Sequence, residues 1–167
     1  MLIRRETAAD VELIRAVHRA AFPEPVEAGL VDELRADEGW LPALSLVAEA
    51  NGAVVGHVVC TRAWVTSPTG RAPALGLGPL SVRPDRQRTG VGGALMHAVL
   101  GAAEALDESL VVLLGHLDYY PRFGFRPAAD LGITPPDPNW GNHFQARALT
   151  TAPPSGAFHY AAPFTAL

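Results

Sequence analysis

Apolar residues recur at helical spacing in three places along the chain and at strand spacing in several others. In DVELIRAVHRAAF, Val11, Ile14, Val17 and Ala21 lie three or four residues apart, the repeat of one helix face. Thr7, followed three residues on by Asp10, resembles a capping box with aspartate in place of glutamate, and Pro23 and Pro25 stop the pattern. A strand, LIRR, is predicted before this helix, and a weaker helical repeat after it, from Val26 to Ala36. Two β-rich runs, Leu44 to Ala50 and Ala53 to Thr61, flank Asn51 and Gly52, a pair favoured in two-residue hairpin turns. The stretch from Trp64 to Ala74 holds Ser67, Pro68, Thr69, Gly70 and Pro73, and reads as a loop or ragged hairpin end before the next strand, ALGLGPLSV.

The third helical repeat runs through Val91, Leu95, Ala98, Ala102 and Leu106, and LVVLLG follows as a continuous apolar run, the pattern of a strand buried on both faces. Strand, helix and strand in that order predict a right-handed crossover between parallel strands. The expected fold is α/β: one mixed, mostly antiparallel sheet flanked by helices, with a parallel β-α-β junction. FQARALT and GAFHYA, beyond the proline-rich PPDPNW, are candidate edge strands. A single domain over residues 1–167 is expected, with a core to about residue 149 and a C-terminal extension, 150–167, carrying an extra strand.

Composition removes several classes of function. The 167 residues are 49% hydrophobic, enough for one real core, and no apolar run reaches membrane-spanning length. The N-terminal MLIRRETAAD lacks a signal-peptide stretch, so the expectation is a cytoplasmic protein with no membrane partner. A formal charge of -4 gives no general attraction to nucleic acid. Cys60 is the only cysteine and no histidine pair has metal-site spacing, so no metal is expected. All 13 basic residues are arginine. Without lysine, neither a Schiff-base mechanism nor a Walker-type phosphate loop applies.

RPDRQRTGVGGALMHAVL, Arg83 to Leu100, then holds the main candidate chemistry. Residues 87–93 fall where a loop becomes a helix, so unpaired amides and the positive end of the helix dipole coincide. Glycines let a pyrophosphate approach the backbone, and Arg83, Arg86 and Arg88 offer charge-assisted contacts. A glycine turn with solvated arginines fits the same residues, and local composition does not separate the two. The dinucleotide fingerprint fails, because Leu95 stands where its third glycine is needed.

LSVRPDRQRTGVGGALM resembles the coenzyme-binding motif of the GNAT superfamily of acyl-CoA-dependent N-acetyltransferases, with Val82, Pro84, Gln87, Gly90 and Gly92 at the motif positions. A second stretch, YYPRFGFRPA, resembles the family's segment after the fifth strand, with Tyr120 four residues before Gly124 of the Gly-Phe pair; Tyr119 is off that spacing by one. The resemblance covers about residues 2–128, and the tail looks like that of a bacterial branch of the family.

It implies the acyl-CoA N-acyltransferase fold and acetyl-CoA as acyl donor, without a metal. The amides of Arg88, Thr89, Gly90, Val91, Gly92 and Gly93, led by Gln87, would bind the pyrophosphate. The main chain of Leu80, Ser81 and Val82 would pair with the pantetheine arm, and Tyr120 would protonate the leaving thiolate. The reaction implied is direct attack by a primary amine of a small molecule or protein, with the oxyanion held by an amide near Val82. Cys60 is then not needed as a nucleophile and is expected to pack in its strand.

ALGLGPLSV carries no carboxylate, where many GNAT enzymes place or reach a base, so the base is unassigned. His116 and Asp118 are candidates by proximity, though Asp118 is expected to cap the short helix carrying Tyr120. The same departure keeps open a non-catalytic coenzyme A binding module. His57 is expected to be satisfied within its strand, His97 to face solvent, and Trp40, Trp64 and Trp140 to anchor loops or line an acceptor pocket. EPVEAGLVDELRADEGWLP is mildly acidic, a hint of a cationic acceptor. The acceptor and the oligomeric state, a homodimer included, stay open.

Overall fold

A computed structural model describes residues 1–167. The chain runs β1 (Leu2–Arg5), α1 (Val11–Ala21), α2 (Val26–Ala36), β2 (Ser45–Ala50), β3 (Ala53–Ser67), β4 (Gly70–Val82), α3 (Val91–Ala105) and β5 (Leu110–Leu114). Short strands follow: β6 (Arg126–Pro127), β7 (Ile133–Thr134), β8 (Phe144–Ala148) and β9 (Gly156–His159). The sheet order is β1-β2-β3-β4-β5-β8-β6, with β9 paired to β3 and β7. All pairs are antiparallel except β4 with β5, joined by the α3 crossover, and β7 with β9. No helix is long and apolar enough to cross a membrane.

Alternation along the strands sends successive residues to opposite faces. Leu46, Ala48, Val55, Val111 and Leu113 pack with Leu95, Met96 and Val99 of α3 on one face. Val47 and Val54 pack with Ile14, Val17 and Val31 of α1 and α2 on the other. Where β5 and β8 continue that second face, the C-terminal segment covers it, with Phe158 and Ile133 on Leu110, Val112 and Phe144.

The predicted elements form with small changes of extent and one change of kind. Asn51 and Gly52 take positive φ, 51° and 74°, and close the β2-β3 hairpin. The Asp10 carboxylate receives the Thr7 amide at 2.7 Å and the Thr7 hydroxyl at 2.9 Å, as a capping box does. Of the two readings of Trp64 to Ala74 the hairpin end forms and the loop does not, and the end is regular: β3 and β4 stay paired out to Ser67 and Gly70. Val65, Ala63 and Ala74 are buried there against Phe158, so tertiary packing outweighs the local turn residues. FQARALT likewise forms an interior strand, because β6 pairs to its far side.

Two features of β4 shape the functional site. Opposite Val58 and Cys60 stand Leu80 and Leu77, so β4 carries one extra residue around Gly78 and Pro79. The parallel ladder with β5 pairs only Leu75 with Val111 and Gly76 with Val112. Beyond Gly76 the two strands part, and the β4 main chain has no strand partner on that side.

A buried polar chain runs through the N-terminal half. Arg35 Nε donates to Glu6 at 2.7 Å, and the Ser45 hydroxyl donates to the same carboxylate at 2.5 Å. His57 Nε2 lies 2.8 Å from Ser45 Oγ, and His57 Nδ1 lies 2.9 Å from His18 Nε2. Since Ser45 gives its proton to Glu6, the consistent tautomers have His57 donating to Ser45 and His18 donating to His57. Both rings are then neutral. Burial, first, and the neighbouring His57 push His18 down to about 3, and burial lowers His57 as well. Burial alone would raise Glu6, but hydrogen bonds from His57, Arg35 and Ser45 outweigh it and hold the group at about 2.

The unfolded chain therefore binds more protons than the native one as pH falls below the ordinary histidine value, and Glu6 adds to this below the ordinary carboxylate range. The melting temperature is expected to drop steadily from about pH 6.5 toward pH 4. The drop should be shallower in His18→Gln. A melting temperature constant from pH 7 to pH 4 would contradict the neutral buried pair.

Candidate functional site

The loop from Arg83 to Gly90 turns the chain from β4 into α3. Pro84 to Arg86 form one 3-10 turn, and the Gln87 side-chain amide donates to the Val82 carbonyl at 3.0 Å, holding the loop to the strand end. Arg88 and Gly90 take positive φ, 60° and 92°, and aim the chain into the helix. The amides of residues 88 to 93 make no backbone hydrogen bond; the first to find a carbonyl is Ala94, bonded to Gly90 at 3.0 Å. A row of free donors thus sits at the positive end of a 15-residue helix, an arrangement suited to a bulky anion.

Arg88, Gly90, Gly92 and Gly93 border a cavity of about 1030 Å³ together with Val82, Tyr119, Arg122 and Phe123. An added Cβ at Gly92 would lie 2.7 Å from the Tyr119 hydroxyl, so glycine is what lets the phenol and the helix start share this space. Arg122 closes that side, its guanidinium 4.7 Å from the Tyr119 ring centre and its Nε donating to the Tyr119 carbonyl at 3.0 Å. Arg83 is committed to Asp85, at 2.5 and 2.8 Å, and neither it nor Arg86 borders the cavity. Arg88 does.

A second cavity, about 570 Å³, opens where β4 and β5 part. Leu77, Gly78, Pro79 and Leu80 of the bulge form one wall, Leu114 to His116 and Tyr120 another, and Phe22 just after α1, Glu27 and Leu30 of α2, Trp140 and the C-terminal segment the rest. His116 borders both cavities, so they approach each other at the end of β5.

Tyr120 is fixed by packing rather than by hydrogen bonds. Its ring stands edge-on to Tyr119, centres 5.0 Å apart, and near Phe125 at 6.1 Å. A Cβ on Gly115 would collide with this ring, so the glycine admits it. Burial, and secondarily Tyr119, push the phenol up to about 12, which keeps it protonated at neutral pH.

The remaining sequence-derived candidates separate into groups. Val82, Gln87, Arg88, Gly90, Gly92 and Gly93 border the first cavity, whereas Leu80 and Tyr120 border the second. Val91 is buried in the core, leaving only its main chain for the cradle. Thr89 donates its hydroxyl to the Arg86 carbonyl at 2.5 Å. The Ser81 side chain is buried on the α1 side, 3.4 Å from His18 Nε2. Asp118 does not cap the turn of residues 120 to 123, whose cap position is Tyr119; it borders the first cavity. His97 is exposed as expected, yet also borders that cavity. Cys60 is fully buried among apolar neighbours, and burial raises its thiol well above the usual range.

Sequence reasoning set Tyr119 aside for its spacing and missed Arg122 and Glu27. Arg122 was visible as the one basic residue inside YYPRFGF; Glu27, at the second cavity, carried no local signal beyond the acidity of its segment. No three His, Cys, Asp or Glu side chains are grouped to hold a metal ion.

A mixed sheet whose two parallel strands part beside the start of a long helix is the acyl-CoA N-acyltransferase fold. The acetyltransferase (GNAT) domain profile matches residues 2–128, and the chain belongs to the GNAT superfamily of N-acetyltransferases. It is 38% identical over 149 residues to the N-acetyltransferase YjhQ of Escherichia coli, covering 87% of this chain and 82% of that one. A GNAT family acetyltransferase from Brucella melitensis, solved in complex with acetyl-CoA, superposes with a TM-score of 0.80 at 35% identity, covering 98% and 97% of the two chains. Escherichia coli YhbS, solved in complex with CoA, gives 0.87 at 30% identity, covering 98% and 91%.

Proposed function

We propose that the protein moves an acetyl group from acetyl-CoA to a primary amine by direct attack, the coenzyme lying in the first cavity and the amine entering from the second. The observation that carries this is the row of free amides at residues 88 to 93, of which Arg88, Gly90, Gly92 and Gly93 border a cavity that meets the Tyr120 cavity at His116. The pyrophosphate rests on those amides, with Arg88 and Arg122 adding charge. The β4 main chain beyond Gly76, lacking a strand partner, is left to pair with the pantetheine arm. Crystal structures of the Brucella melitensis relative with acetyl-CoA and of YhbS with CoA support the same ligand here.

In the transfer, the amine nitrogen bonds to the thioester carbonyl carbon, the C–S bond breaks, and the thiolate takes the proton of Tyr120. An alkylamine with a pKa of about 10.4 needs about 4 to 5 kcal/mol at pH 7 to lose its own proton, so a base assists. His116 is the imidazole bordering both cavities and fits that role; Asp118 reaches only the first.

Release of free thiol from acetyl-CoA, followed across a panel of amines, tests the reaction. Amine-dependent release is expected. Coenzyme binding without release on any amine would leave a binding module instead. In calorimetric titrations, Arg88→Ala and Arg122→Ala should each weaken acetyl-CoA binding about three- to tenfold, as partly exposed charged contacts do. Arg83→Ala should leave it unchanged, because Arg83 is spent on Asp85.

A further inference from the structure

We infer that the amine acceptor carries a single positive charge on an apolar body of aromatic size, and that Glu27 receives its ammonium group. The inference rests on the acetyl-transfer reading and names the substrate class of its second cavity. Ten of the 15 residues around that cavity are hydrophobic. Five of them, Phe22, Tyr120, Trp140, Tyr160 and Phe164, set aromatic rings around it, which suits a flat or greasy body and, at ring faces, a cation.

Glu27 is the one acidic side chain on this boundary, and no arginine borders it. It stands in the first turn of α2, and its Oε2 is sealed from water with no hydrogen-bond partner. Oε1 is not closed off in this way, and an ammonium group that reaches it from the cavity offsets the charge that the unpartnered Oε2 leaves away from water. The same cavity contains Tyr120 and His116, so an amine held there is beside the groups proposed for the chemistry.

Charge count sets the class. The one acidic side chain on the boundary balances one ammonium. A polyamine or a multiply charged amino sugar would bring further cations against apolar walls with no partner. The 570 Å³ volume is that of a small-molecule site, large enough for an arylalkylamine.

The test measures both binding and transfer, with the CoA-loaded protein titrated calorimetrically and thiol release followed separately. 2-Phenylethylamine is expected to bind and to be acetylated, with spermidine at least tenfold worse in kcat/KM. Glu27→Gln should raise the amine Kd and KM about tenfold or more while leaving the acetyl-CoA KM unchanged. The neutral isostere 2-phenylethanol should bind wild type and Glu27→Gln alike, and Glu27→Asp should retain part of the amine preference. Should Glu27→Gln not fold, the amine-to-alcohol affinity ratio of the wild-type protein still decides: a ratio near one overturns the inference. Spermidine turning over better than 2-phenylethylamine, or equal amine affinity in wild type and Glu27→Gln, also overturns it while leaving acetyl transfer intact. Amine binding that depends on Glu27 without any thiol release would keep Glu27 as an ammonium-binding residue but overturn both the acceptor assignment and the transfer reading.

Discussion

Gly92→Glu is expected to abolish acetyl-CoA binding, with a loss of affinity of at least about a hundredfold. Two effects act in the same direction. An added Cβ at this position already meets the Tyr119 hydroxyl at 2.7 Å, so any longer side chain must displace the phenol or fill the cavity. The new carboxylate would also stand among the free amides of residues 88 to 93, occupying the field meant for a phosphate and repelling it. The fold should survive, because the residue lies in the first turn of α3 and borders the cavity rather than the core. Gly101→Ala in the same helix is the control, since nothing lies within 4 Å of its added Cβ. It should raise stability by up to about 1 kcal/mol and leave affinity alone. Calorimetry on both variants, with melting curves to confirm folding, checks the pair; near-normal affinity in Gly92→Glu would remove the cradle from residues 88 to 93.

Tyr120→Phe should lower kcat about a hundredfold or more, the range for loss of a general acid, and leave acetyl-CoA affinity nearly unchanged. The separation follows from placement. Tyr120 borders the second cavity, and the cradle residues border the first. The ring sits over Gly115 and against Phe125, contacts that phenylalanine keeps, and the hydroxyl makes no hydrogen bond within the chain that its loss would orphan. Stability should therefore hold. Unchanged turnover would refute the proton-donor role, whereas a large affinity loss would reassign Tyr120 to binding. Tyr119→Phe should show the opposite balance, because that hydroxyl lies against Gly92 in the cradle.

Much of this architecture was legible in the sequence because it rests on local signals. Helix spacing placed α1, α2 and α3, the Asn51-Gly52 pair marked the β2-β3 hairpin, and the glycines before Leu95 marked the start of α3. What stayed hidden depends on residues far apart in the chain. Trp64 to Ala74 carries turn-forming residues, yet it pairs as strand because Phe158, more than 80 positions later, covers it. The parting of β4 from β5 arises from a register difference against β3 that no single strand reveals.

The site divides the same way. Two sequence motifs marked Gln87 to Gly93 and Tyr120, but not which cavity each faces. Arg83, Arg86 and Arg88 were equivalent on paper; the Arg83 to Asp85 pairing and the position of Arg88 alone at the first cavity distinguish them. His57 read as one satisfied histidine; its partners, Ser45 and His18, come from a neighbouring strand and a helix. Glu27 became significant only once Trp140 and Phe164 had closed the cavity around it.

The most direct test of the account is amide NMR of the 15N-labelled protein titrated with acetyl-CoA. The free N–H groups of residues 88 to 93 are expected to shift together, saturably, and with a single dissociation constant, alongside the β4 amides beyond Gly76. Saturable binding that leaves the amides of residues 88 to 93 unmoved would contradict the cradle, and with it the placement of the transfer between the two cavities.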